Sequence, residues 1–317
     1  MSKQNQSLPT SFLIVLAKFV WKNLWLAMMS QLAPSQKGSY NRPSSQFRHQ
    51  MNGHNNIYTP EVDRYSLYVG IGCPWAHRTS IVRKLKGLEN VIDINIVIPS
   101  VNQGGWEMEA VSENCQSLRQ LYQLSQPNYR GRCTVPVLWD KKTKTIVNNE
   151  SAEIIVILNN QFNEYTTNPD LNLYPDELKS DIDSWNEKIY HYVNNGVYRC
   201  GFAQTQEAYE EASHGLFAVL DDIEAHLSHN RYLCGYRLTL ADIRLFTTLI
   251  RFDAVYYTLF KCSLRSIESY PNLSRYVKDI DSLSGVKETY DLKVIQKDYF
   301  GNLFPLNPSG IIPLSMK

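Results

Sequence analysis

The chain of 317 residues has almost no net charge: 32 Lys and Arg stand against 31 Asp and Glu, a formal charge of +1. A general nucleic-acid binder carries a basic face and a high pI, so no nucleic-acid partner is expected, although the total leaves a local patch open. Cysteine is scarce, with six residues at 73, 115, 133, 200, 234 and 262. No two have C-x-x-C spacing and none has a histidine at zinc-finger distance, which argues against a dithiol motif, a structural zinc site and a disulfide scaffold. No metal is expected, and free thiols point to a reducing, cytoplasmic compartment. Internal repeats and low-complexity tracts are missing too. What the chain has in quantity is apolar and aromatic side chains, 20 Tyr and 6 Trp among them, enough for two cores.

The segment "SFLIVLAKFVWKNLWLAMMSQLAP" (11–34) is apolar enough to suggest a signal or a membrane span. It lacks the strongly basic start and the small-x-small cleavage site of a signal peptide. Lys18 and Lys22 fall inside it, each costing about 2.5–3.5 kcal/mol at a bilayer centre. They share one helical face, and Phe12, Phe19, Trp21, Trp25 and Met29 cover the rest. The favoured expectation is an amphipathic helix docked on its own protein or a partner; membrane contact through residues 11–33 is the second reading.

Residues 34–62, rich in Ser, Asn, Gly and Pro, read as a long connector. "RYSLYVG" alternates as a strand, and "AHRTSIVRKLKGLEN" carries Ile81, Leu85 and Leu88 at helical spacing. "VIDINIVIP" is a second strand, parallel to the first by a right-handed crossover. An insertion spans 99–131 with a helix expected over "SENCQSLRQLYQLS"; "TVPVLWDKKTKTIVNNE" is a hairpin, and "SAEIIVILNNQF" a helix. The order β–α–β then β–β–α is the thioredoxin-like layout. From about residue 170 the periodicity is helical throughout, including a capping box at Thr239-x-x-Asp242. The expected fold is α/β plus all-α: residues 1–50 an apolar helix and connector, 51–168 a thioredoxin-like domain, and 169–317 an all-helical domain with a C-terminal extension.

In "GIGCPWAHRTS" (70–80), Cys73 lies between a strand and a helix, and Pro74 suits the first helical turn. Free amides and the helix dipole there stabilise an anion, so a thiol pKa lowered from about 8.5 is expected, with Cys73 as nucleophile. Ala76 stands where a dithiol oxidoreductase needs its second cysteine. A mixed disulfide on Cys73 is therefore resolved by an outside thiol. His77 and Arg78 come within the first turn or so, and an exposed helix face is expected for both. Val135-Pro136 opens a strand where the thioredoxin layout holds a cis proline, freeing the Val135 backbone to pair with an extended peptide. Glu150 and Ser151 stand at a strand–helix junction, able to take a ligand's ammonium and carboxylate; the same pair is also an ordinary helix cap. A tripeptide with a γ-glutamyl end fits these features together.

The chain resembles the glutathionyl-hydroquinone reductases, the Xi class of glutathione transferases, from about Phe47 to Pro313. The resemblance is carried by "CPWAHRTSIVRKLKGLE" (73–89), "GRCTVPVLWDKKTKTIVNNESAEII" (131–155), "VNNGVYRCGFAQTQEAYE" (193–210), "RYLCGYRLTLADIRLFTTLIRFDAVY" (231–256) and "LNPSGIIP" (306–313). It implies that Cys73 attacks the sulfur of an aromatic glutathionyl-hydroquinone and that a second glutathione, the co-substrate, resolves the mixed disulfide. Tyr198 and Tyr299 would serve as catalytic phenols; Trp106, Val135, Pro136, Glu150 and Ser151 would bind glutathione. It also implies a homodimer. In "KVIQKDYF", Phe300 stands where the family commonly has a second tyrosine. Two other functions compete: an omega-like thiol transferase or dehydroascorbate reductase, and a non-catalytic ligand- or membrane-binding member of the fold.

Overall fold

The computed structural model describes residues 9–32, 35–36, 38–51, 57–100 and 105–314. A helix α1 (Thr10–Leu32) and a two-stranded hairpin, β1 (Ser35–Gln36) and β2 (Ser39–Tyr40), precede the first domain. The connector then pairs with the sheet edge: the His49 amide donates to the Val147 carbonyl (3.0 Å) and the Asn149 amide to that of Phe47 (2.9 Å).

The sheet is built from β3 (Tyr65–Val69), β4 (Ile92–Pro99), β5 (Trp106–Ser112), β6 (Cys115–Ser117), β7 (Val137–Asp140) and β8 (Thr145–Asn148). Their order is β6-β5-β4-β3-β7-β8, with only β3 and β4 parallel. Leu67 lies opposite Ile94 on one side and Leu138 on the other. Helices α2 (Pro74–Leu85), α3 (Leu118–Ser125) and α4 (Ser151–Asn160) complete the thioredoxin-like domain. All of β3 is buried, as befits a central strand covered on both faces.

The 99–131 segment differs from the expected helical insertion. It adds the strand pair β5–β6 to the sheet, and its helix begins only at Leu118. Glu113 and Asn114 both adopt positive φ (54° and 57°), the two-residue turn that closes a hairpin. Ser117 and Gln120 then form a capping box that starts α3.

The helical domain comprises α5 (Lys179–Ile189), α6 (Gly196–Gly201), α7 (Gln206–Leu227), α8 (Leu240–Arg251), the short α9 (Tyr257–Leu259), α10 (Pro271–Asp281) and α11 (Leu292–Asn302). The expected capping box is present. The amide and hydroxyl of Thr239 both donate to Asp242 Oδ2 at 2.8 Å. Asp242 also accepts from the Leu233 amide (2.9 Å) and the Tyr276 hydroxyl (3.0 Å), so this buried carboxylate ties two further segments to α8. Two stretches wind as π-helix, Tyr190–Asn194 and Phe252–Tyr256. Each π turn inserts a residue and rotates the helix beyond it; they lead into Tyr198 and end on Tyr256, which become neighbours.

Candidate active site

Cys73 is the N-cap of α2, with Pro74 at the first helical position and residues 74–82 all buried. Its thiol donates toward the carbonyl of Val135 at 3.8 Å, across the cis Val135–Pro136 bond. The expected direction of its pKa shift is not found. Burial pushes the thiol up; the Ala76 amide, the Arg42 charge, the Trp75 amide and Arg251 pull it down without winning. The residue as a whole is half-buried, but the sulfur sits deep enough that lost hydration outweighs the helix end.

Two glycines of the motif are required by close approach. A Cβ on Gly70 would collide with the Trp106 ring, and one on Gly72 would come within 2.7 Å of Asp298 Oδ2. That carboxylate accepts the Gly72 amide at 3.2 Å. Burial raises it to about 6, against the pull of the Gly72 amide and of Lys297 and Arg251.

The expectation that His77 and Arg78 occupy an exposed face is overturned, since both are buried. Turning the helix N-terminus into the domain junction puts its first turn under α8. Arg251 on α8 is fully buried. It donates to the carbonyls of Gly72 (3.1 Å), Ile71 (2.9 Å) and Thr247 (2.9 Å), and to His77 Nδ1 (2.9 Å). With Nδ1 accepting, His77 Nε2 is the protonated nitrogen and donates to Thr289 Oγ1 (2.8 Å). Burial and then the Arg251 charge hold His77 neutral. Arg78 donates to Asn194 Oδ1 (2.7 Å) and to Ser151 Oγ (3.3 Å). The loop carrying Cys73 is thus clamped from the helical domain.

A cavity of about 580 Å³ opens over the thiol, and a second of about 350 Å³ adjoins it. Cys73, Trp106, Arg132, Tyr198, Phe202 and Leu303 line both. Tyr299 and Asp298 line the larger; Arg42 and Val135 line the smaller. Cys133 also faces the larger cavity, as a second thiol whose pKa burial raises.

Three phenols form a chain at the wall. Tyr198 and Tyr299 hydroxyls stand 2.6 Å apart, and Tyr299 and Tyr256 hydroxyls 3.1 Å. Burial pushes all three up, so they are neutral donors at physiological pH. Phe260 stacks on Tyr256 (5.2 Å) and packs against Tyr198 (5.3 Å). Phe300 is buried, and Tyr256 supplies a third hydroxyl that the sequence pattern does not reveal.

Of the residues expected from sequence, Cys73, Trp106, Val135, Tyr198 and Tyr299 meet around these cavities. Pro136, Glu150 and Ser151 do not line either one. Glu150 caps α4 through the Ala152 amide (3.2 Å) and accepts from Ser45 (3.0 Å), while Ser151 is buried under Arg78. The connector lies over them, and its Arg42 sits 3.9 Å above the Trp75 ring. Arg42, Arg119 and Arg132 give the cavities three cations, suited to the carboxylates of a peptide ligand. Among the described residues no group of three or more His, Cys, Asp and Glu could hold a metal ion.

Residues 72–161 match the family model described as glutathione S-transferase, N-terminal domain, and residues 206–279 its C-terminal counterpart. The chain is 44% identical to the glutathionyl-hydroquinone reductase PcpF of Sphingobium chlorophenolicum, over 93% of this chain and 94% of the relative. It is 43% identical to the glutathionyl-hydroquinone reductase YqjG of Escherichia coli K12, over 93% of each. The glutathione-bound structure of YqjG superposes with a TM-score of 0.78, covering 88% of this chain and 89% of that one. The glutathione S-transferase Xi of Phanerochaete chrysosporium gives 0.85 at 44% identity, covering 89% and 94%.

Proposed function

The chain belongs to the glutathione S-transferase family and, within it, to the Xi-class glutathionyl-hydroquinone reductases, and from that premise we propose how its own residues reduce a glutathionyl-hydroquinone. The observation that carries the proposal is the meeting of one thiol, Cys73, with the Tyr198 and Tyr299 hydroxyls on a single cavity of about 580 Å³. The Cys73 sulfur attacks the sulfur of the conjugate, forming an S–S bond and breaking the bond from that sulfur to the aromatic carbon. The electron pair stays with the ring carbon, which takes a proton, so a hydroquinone leaves. Formally the proton lost by the Cys73 thiol is the one the ring gains. A second glutathione thiolate then attacks the mixed disulfide, releasing oxidised glutathione and freeing Cys73. In sum, one glutathione thiol and the conjugate's thioether sulfur become one disulfide, the aryl C–S bond is replaced by C–H, and Cys73 recovers its proton from the second glutathione, which balances.

A resting thiol rather than a thiolate suits this balance, because the proton is already in the site. Tyr198 and Tyr299, as neutral phenols, can donate to the substrate's oxygens and pass a proton to the ring. Val135 offers its backbone to the extended peptide. Trp106 gives a flat wall, and Glu150 and Ser151 take the γ-glutamyl end once Ser45 yields. Six free thiols support a cytoplasmic setting. The homodimer remains part of the proposal on the family resemblance.

The test is an intact mass spectrum after mixing the protein with glutathionyl-menadiol, with hydroquinone followed in parallel. One added glutathione, mapped to Cys73 rather than Cys133 and removed by fresh glutathione, is the expected result. Hydroquinone release without any adduct would overturn the covalent route.

Asp298 gives the reaction a pH dependence. Its carboxyl, raised to about 6, is ionised above that pH and then holds the Gly72 amide next to Cys73 with full charge. Below pH 6 it takes a proton and the hold weakens. Hence kcat/KM falls on the acid side of a bend near pH 6, and Asp298→Asn removes the bend and sits near the acid level throughout. The same bend in the variant would assign it to another group.

A further inference from the structure

The reductase chemistry makes no use of α1. Among its described residues, ten large apolar side chains are between 37 and 66% exposed, and only Met29 is fully buried. Such a surface is larger than a soluble monomer ordinarily presents.

The helix has two distinguishable sides. Ser11, Lys18, Lys22, Trp25 and Met29 succeed one another at spacings of seven, four, three and four, so they share one side. The C-terminal part of that side meets the protein: Met29 is buried, Trp25 Nε1 donates to the Pro305 carbonyl (3.2 Å), and the adjacent Trp21 packs edge-on to Phe304 (6.4 Å), whereas Lys18 and Lys22 are exposed. On the opposite side Phe12, Leu13, Leu16, Phe19, Val20 and Leu24 point away from the body. The polar group among them, Asn23, donates through Nδ2 to the Phe19 carbonyl one turn back (2.8 Å).

Three observations choose the occupant of that face. The apolar arc covers well over half the circumference, wider than the stripe a helix buries in a protein groove. Residues 9–32 contain two lysines and no acid, and the tail from 303 to 314 contains no acid either, so the whole surface complements an anionic one. The tail continues the apolar surface beside α1 through Phe304, with Ile311 and Leu314 exposed beyond it. At 23 residues α1 is about 35 Å long, long enough to span, but its lysines lie near its midpoint and one side is fixed to the body.

We propose that α1 lies in the interfacial layer of a lipid bilayer, its outer apolar face in the acyl region and Lys18 and Lys22 among anionic headgroups. The anchorage lies next to the cavity, because Leu303 lines the cavity and Phe304 and Pro305 hold α1. The reductase would therefore work at the membrane surface, with its cavity rim towards it.

Flotation of the full chain with vesicles of phosphatidylcholine, with and without phosphatidylserine, tests this. The protein is expected to float with the anionic vesicles and to float less on phosphatidylcholine alone or at high salt. A variant carrying Leu13→Ser, Leu16→Ser, Phe19→Ser and Val20→Ser is expected to stay at the bottom of the gradient, roughly tenfold depleted from the lipid fraction, with hydroquinone release in solution unchanged. Lys18→Glu with Lys22→Glu is expected to lose the preference for phosphatidylserine, which keeps the test open should the fourfold variant fail to fold. A wild-type chain that does not float overturns the proposal. So does a wild-type oligomer that the fourfold variant dissociates, since a second copy would then cover the face.

Discussion

Cys73→Ala is expected to lower kcat/KM for hydroquinone release by on the order of 10⁴-fold or more, the scale of losing a covalent nucleophile. Glutathione binding, measured by calorimetry, is expected to change little. The amides of Trp75 and Ala76, the Val135 backbone and the cations Arg42 and Arg132 are all present without the sulfur. Cys73→Ser is expected to be as inactive, although it restores a polar atom at the helix N-cap. An alkoxide is far harder to form than a thiolate, and an oxygen cannot make the disulfide that the second glutathione opens. The alternative chemistry has free glutathione attack the conjugate's sulfur directly, with Cys73 only organising the site. In that case Cys73→Ser would keep more than roughly a hundredth of the activity, because the cavity and its phenols would do the remaining work. That outcome would remove the mixed disulfide from the cycle. Cys133→Ser, which removes the other cavity-facing thiol, is the control and should leave turnover near wild type.

The motif around Cys73 is legible in the sequence because its signals are local. A cysteine and a proline between a strand and a helix specify an N-cap position, and the structure has Cys73 and Pro74 there. The Val135–Pro136 bond is cis and faces the thiol, as the layout requires. The features that sequence reasoning misses depend on contacts far apart in the chain. Arg251 is nearly 180 residues from the Gly72 carbonyl it clamps, and in its own segment it looks like one more polar residue on a helix. His77 and Arg78 read as exposed for the same reason: each is a polar residue in its own segment, and what buries them comes from far along the chain, Arg251 and Thr289 at His77 and Asn194 and Ser151 at Arg78. Arg42 and Ser45 lie in a stretch whose composition says connector, and nothing local says that it lies over Trp75 and Glu150. The strand pair β5–β6 does have a local signal, the Glu113-Asn114 turn, masked by the helical spacing of the residues after it. Tyr256 is hidden by a π turn, which breaks the periodicity from which its direction would be read.

The phenol chain carries the second large effect. Tyr299 is its centre, bonded to Tyr198 at 2.6 Å and to Tyr256 at 3.1 Å, whereas Tyr198 is an end that faces the cavity. Tyr198→Phe and Tyr299→Phe are each expected to slow hydroquinone release by about 10²- to 10³-fold, within the range of a lost general acid. The double variant is expected to be little worse than the poorer single one, because groups acting as a unit are not additive. The two singles differ in stability. Tyr299→Phe takes away the 3.1 Å partner of the buried Tyr256 hydroxyl and leaves it only its interaction with Tyr198, a loss of about 1 kcal/mol, while Tyr198→Phe leaves the Tyr299–Tyr256 bond in place. Lost folding must therefore be separated from lost chemistry, and the second half of the cycle does that. Attack of glutathione on the Cys73 mixed disulfide involves no ring carbon, so both variants, loaded with glutathione on Cys73, should be resolved at the wild-type rate. Slow resolution in either would mean that the phenols position glutathione or the loop instead of serving the ring. Since burial keeps all three phenols neutral, the wild-type profile should show no phenol titration between about pH 6 and 9, and the variants should differ from it by a constant factor across that range.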